Sequence, residues 1–84
     1  MADDKAKEVR TLTQAHTVLT AIRPPDDASP QAWRDCYRRS AATYARVAEI
    51  DRGHHHEALY WSEREGRKAD EITRKLTGKK SASN

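Results

Sequence analysis

Two interruptions govern what this chain can fold into. Pro24-Pro25, following Arg23, and the step Asp51-Arg52-Gly53 cut its 84 residues into three stretches. In each stretch apolar residues recur at steps of three and four, the period of one helix face. Proline cannot join the hydrogen-bond ladder and disfavours helix in the residue before it, so the first stretch should end at Arg23-Pro24-Pro25. Gly53 can adopt the left-handed conformation at low cost and should end the second.

The first helix is expected over about residues 3–22. Val9, Leu12, Ala15/His16, Leu19 and Ile22 mark its apolar face, and Asp3 and Asp4 suit the positive end of its dipole. Pro24 to Ala28 forms a polar connector. Ser29-Pro30 then reads as an N-cap followed by the first helical position. The second helix should run over residues 30–50, with Trp33, Tyr37, Ser40, Tyr44 and Val47 inward, broadened by Cys36 and Ala48. The third is expected over about 54–76, with Ala58, Ser62, Gly66, Ala69, Thr73 and Leu76 on one face. The small residues there, Gly66 above all, suggest close approach by a neighbouring helix. Glu63/Arg67, Asp70/Arg74 and Glu71/Lys75 are i,i+4 pairs with the acid first, the favourable order on a solvated face. Residues 79–84 read as a disordered basic tail. Short connectors favour antiparallel neighbours. The expected fold is therefore all-α, one domain over residues 1–78, an up-down-up arrangement of three helices with Trp33, Tyr37 and Tyr44 at its centre.

Composition limits what such a domain can do. Large apolar residues are few, phenylalanine is absent, and a chain this short buries too little surface for a wide stability margin. Association with a partner or a second copy would help it. Sixteen basic against thirteen acidic residues give +3, an interspersed balance that suits solubility more than it marks a nucleic-acid binder. Cys36, the only cysteine, allows no internal disulfide and reads as a buried, inert thiol. Neither a signal-peptide core nor a run of about eighteen apolar residues occurs, so a cytoplasmic, non-membrane protein is expected.

The run His54-His55-His56-Glu57 raises a metal site. Consecutive helical residues point about 100° apart, so the three histidines cannot converge on one ion. His54 with Glu57 supplies two ligands where a catalytic zinc site needs three, with His16 the one remaining candidate from another helix. First-turn packing, and a hydrogen bond to the end of the preceding helix, is the more economical reading. No metal or other cofactor is expected.

Tyr60 lies opposite the inner face and should be exposed, near His56 and Arg64. Tyrosine, tryptophan and arginine are the residues that most often anchor interfaces. The partner-binding candidates are accordingly His56, Tyr60, Trp61 and Arg64, with Arg38 and Arg39 as a second patch. The arginines of the second helix, Arg34, Arg38, Arg39 and Arg46, together with the basic tail, also admit weak nucleic-acid contact. Acidic neighbours dilute that charge, and no nucleic-acid-binding motif accompanies it. A glycine-rich phosphate loop, an activated nucleophile and a carboxylate dyad on an apolar face are all missing, so no enzymatic activity and no catalytic residues are expected.

The stretch Tyr44 to Ile72, "YARVAEIDRGHHHEALYWSEREGRKADEI", resembles a family of short, uncharacterised actinobacterial proteins. Tyr-Ala, Val-Ala, Asp, Gly-His-His and Glu-Ala-Leu-Tyr-Trp carry the likeness, which extends more loosely from about Leu12 to Lys75. The resemblance implies a small, helical, cytoplasmic bacterial protein, and it brings no activity with it. The sequence thus points to a non-enzymatic interaction or regulatory module that engages a protein partner or a second copy. The alternative is a nucleic-acid-associated protein.

Overall fold

The computed structural model describes residues 9–82, with side-chain surroundings as far as residue 77. Among these residues the backbone forms three α-helices and no strand: α1 (Leu12–Ala21), α2 (Pro30–Ile50) and α3 (His55–Ala82), with a 3-10 turn at Arg52–His54 between the last two. The helices run up, down and up.

α1 begins later than the sequence suggested. Thr11 has an extended backbone and accepts the N–H of Gln14, while the Gln14 side chain returns to the N–H groups of Arg10 and Thr11. This reciprocal capping box fixes the start at Leu12. Val9 keeps its place in the core, 2% exposed, but in non-helical backbone. The part of the expected helix over residues 3–8 lies outside the described residues.

α2 opens as a local signal dictates, with Ser29 Oγ accepting the N–H of Ala32 at 3.1 Å and Pro30 in the first turn. Its end is a correction. Gly53 has no positive φ, and no described residue does. The chain instead turns through Asp51 and the 3-10 segment, where the His54 N–H donates to the Asp51 carbonyl at 2.9 Å. α3 also runs on through Gly78 to Ala82 where an end near residue 76 was expected. A glycine costs a helix only about 1 kcal/mol against alanine, and it stops one only when its backbone leaves the helical region. The disordered tail expected over 79–84 is therefore helical backbone as far as Ala82, and residues 83–84 lie outside the described span.

α2 and α3 form a long antiparallel hairpin. Ser62 Oγ donates to the Ala41 carbonyl at 2.8 Å, and His55 reaches Ala48. α1 lies antiparallel to α2, with Leu12 beside Asp51 and His16 beside Tyr44. The core is Val9, Leu12, Ala15 and Leu19 against Tyr44, Val47, Ala48 and Ala58, with Val18, Ile22 and Trp61 packed on it. α1 has only ten residues, so it covers one half of the hairpin. Trp33 and Tyr37, expected at the centre, are half-buried at the other end. There Trp33 Nε1–H donates to the Pro25 carbonyl at 3.2 Å, and Tyr37 lies 5.9 Å from the Arg23 guanidinium. Gly66 is no obligatory contact point either. A Cβ built on it would meet only the Ala41 Cβ, at 3.9 Å. No helix among the described residues is long and apolar enough to cross a membrane.

Candidate functional site

The histidine run stitches a helix junction. Carbonyl oxygen only accepts, so His55 Nδ1–H must donate to the Ala48 carbonyl, at 2.7 Å, satisfying one of the groups the end of α2 leaves open. His54 Nδ1 lies 3.0 Å from Asp51 Oδ2. His56 is exposed, its ring edge-on to that of His55 at 5.3 Å. Among the described residues no three of His, Cys, Asp and Glu are placed to hold a metal ion. His16 is engaged elsewhere: its Nδ1 shares a 2.8 Å hydrogen bond with the Tyr44 hydroxyl, and its ring meets Trp61 edge-on at 5.0 Å.

Trp61 is the pivot of the outer site. One side of its ring stacks against Tyr44 at 6.1 Å inside the bundle. Tyr60 packs edge-to-face on it at 5.5 Å while staying 56% exposed, and the Arg64 guanidinium lies 5.2 Å from its ring. Aromatic and cation–π contacts of this kind are each worth about 0.5–1.5 kcal/mol. Tyr60, Trp61 and Arg64 thus form one assembled patch. His56 stands one turn before Tyr60 and is directed to His55. Arg38 and Arg39 are both exposed on α2. Arg38 Nη2 donates to Thr73 Oγ1 at 3.3 Å across the α2–α3 seam, whereas Arg39 borders a cavity of about 180 Å³ with Ile22, Pro24, Ala32, Asp35 and Cys36.

Sequence reasoning missed a buried ion pair. Glu65 is 1% exposed, and its Oε1 accepts from Arg23 Nη2 at 3.0 Å. Periodicity alone had placed Gly66 on that face, one residue away. Glu65 falls four residues after Trp61 and seven after Ala58, a spacing that marks its position, but its carboxylate needs a partner from the connector that no local pattern announces. Burial pushes the Cys36 thiol up from its ordinary pKa, with Arg23 opposing and Glu65 adding to the rise. Cys36 is half-buried and stays protonated near neutrality, which makes it a poor nucleophile. The Tyr44 hydroxyl is raised as well, by burial first and Glu65 second.

The outer face of α1 was also not singled out. No Asp, Glu, Lys or Arg occurs from Thr11 to Ile22. Thr13, Gln14, Thr17 and Thr20 are exposed, with Thr17 Oγ1 turned back to the Thr13 carbonyl at 3.1 Å. Because Trp61 touches His16, this uncharged face adjoins the aromatic patch.

Comparison of the chain with family models, with curated proteins and with solved structures gives no match.

Proposed function

We propose that the protein is a non-enzymatic helical interaction module, regulatory in character, that engages a protein partner or a second copy through Tyr60, Trp61 and Arg64. The observation that carries this reading is Tyr60: a large aromatic, 56% exposed, held in place by Trp61 beneath it. A fixed aromatic loses little freedom on binding, which is why such residues dominate interface energetics. The neighbouring charge-free face of α1 supports it, since the centres of interfaces are depleted in charge. The actinobacterial resemblance and a cytoplasmic setting belong to the same proposal.

Nucleic-acid association through Arg38, Arg39 and the basic end of the chain is the rival. The arginines speak against it, because Arg34 lies 3.3 Å from Asp35 and Arg38 and Arg39 face different neighbours. One experiment separates the two. Tagged protein without polyhistidine is captured from cells, with half of the lysate treated with nuclease, beside Tyr60→Ala. A bound protein that survives nuclease and is lost with Tyr60→Ala, helicity and melting temperature unchanged, supports the module. Binding that vanishes with nuclease or persists in Tyr60→Ala overturns this assignment.

A further inference from the structure

The outer face of α3 carries residues at steps of three and four: Glu57, Tyr60, Arg64, Arg67 and Glu71. At 3.6 residues per turn they fall within one stripe about 80° wide, turned away from Ala58, Glu65 and Ala69, which are buried. Glu57, Tyr60, Arg67 and Glu71 are exposed, and the Arg64 side chain is still 41% exposed where it lies over Trp61. Alternating steps of three and four are the spacing of a seam between two helices. The side chains on this stripe are ordered in a self-complementary way. From Glu57 onward they run acid, aromatic, cation, cation, at steps of three, four and three. Turned end for end, the same spacing sets the acid against the last cation and the aromatic against the first. The midpoint is Ser62.

We infer that this stripe binds a second copy of the chain, with the two α3 helices antiparallel about a two-fold axis at the level of Ser62. The inference rests on the module reading above and names its partner. In this register positions equidistant from Ser62 share a level. Glu57 meets the second copy's Arg67, Tyr60 meets its Arg64, and two-fold symmetry forms each pair twice. The first pair is ionic and the second a cation–π contact. Within one chain Glu57 and Arg67 are about 15 Å apart along the helix, so these two can pair only between chains. A parallel register would set Glu57 on Glu57 and Arg64 on Arg64, and like charges in contact are repulsive. A purely acidic or purely basic partner would match part of the stripe and oppose the rest. On the Trp61 side, where Trp61 touches His16, the stripe is flanked by the uncharged outer face of α1, which brings no like charges beside the axis. Glu63, exposed on the opposite flank, stands near its own copy and keeps the association weak.

The test is sedimentation equilibrium of the full chain at low ionic strength, up to about 1 mM, where a small interface still associates. The wild type is expected to approach twice the mass of one chain, and added salt to dissociate it. Glu57→Arg and Arg67→Glu each turn two attractive pairs repulsive. Each should weaken the dimer about tenfold or more, with helicity by circular dichroism unchanged. Combining the two substitutions in one chain restores both pairs and should recover the dimer, as should an equimolar mixture of the two single variants. If Glu57→Arg does not fold, the loss in Arg67→Glu decides. A wild type that is monomeric at every concentration, a dimer indifferent to the single reversals, or no recovery in the combined variant would each overturn the antiparallel contact. The module reading fails separately, in the capture experiment with Tyr60→Ala. A monomeric wild type that still loses a captured protein with that variant overturns the second copy and leaves the module standing.

Discussion

Asp51 Oδ2, at the end of α2, accepts the backbone N–H of Leu12, the first residue of α1, at 3.1 Å. A residue that closes one helix therefore caps another thirty-nine positions earlier, and His54 Nδ1 shares the same oxygen. Three elements converge on a single carboxylate atom.

That convergence sets a pH dependence. The Leu12 N–H, and after it His54, hold the Asp51 carboxyl below its ordinary pKa. A carboxyl lowered on folding contributes stability that is fully present above its unfolded pKa, about 3.9, and is lost as pH falls through the folded value. Asp51→Asn should melt below the wild type at pH 5, and the gap should close as the pH drops below about 4. Thermal melts of both proteins from pH 5 to pH 2.5 check this; a gap that stays constant means the charge of Asp51 is irrelevant.

The Arg23–Glu65 pair should respond asymmetrically. Removing the cation strands a buried carboxylate, whereas replacing the carboxylate by an apolar side chain of similar volume relieves the burial of charge. Arg23 is 37% exposed, which discounts the effect. Arg23→Met is expected to cost about 1–3 kcal/mol, and Glu65→Met to be neutral or stabilising. Urea unfolding of the two variants and their double mutant gives the coupling directly. A Glu65→Met loss as large as that of Arg23→Met would show that the pair is a net stabiliser.

Gly66→Ala should stabilise the protein by about 1 kcal/mol, the difference in helix propensity. The new methyl group would make one ordinary contact with Ala41, at 3.9 Å. Chemical denaturation measures the shift, and any destabilisation would mean that the α2–α3 seam is tighter than its geometry.

His55 and His56 are adjacent and should behave differently. His55→Ala removes the hydrogen bond to the Ala48 carbonyl and should cost about 0.5–1.5 kcal/mol. His56→Ala removes an exposed side chain and should stay within about 0.5 kcal/mol. Equal losses in denaturation midpoint would contradict the junction role of His55.

What could be read in advance follows from where each signal resides. Ser29-Pro30 announces the start of α2 because capping is local, and the exposure of Tyr60 follows from helical rotation alone. The start of α1 was obscured because Val9 continues the apolar period into non-helical backbone, so the competing cap at Thr11 went unread. Gly53 looked like a left-handed stop, yet Asp51 and the 3-10 turn reverse the chain without one. Glu65 was hidden for a different reason: its burial depends on Arg23, forty-two positions away in sequence.

α1 is a helix of ten residues, shorter than the length at which isolated helices hold together in water. Its order is borrowed from the hairpin it rests on. In this sense α1 is a tethered ligand, and the connector from Ile22 to Pro30 sets its effective concentration. Lengthening that connector should loosen α1 only gradually, by about 0.6 kcal/mol for each doubling, while the α2–α3 hairpin stays formed. Docking of α1 thus has the form of a binding equilibrium within one chain.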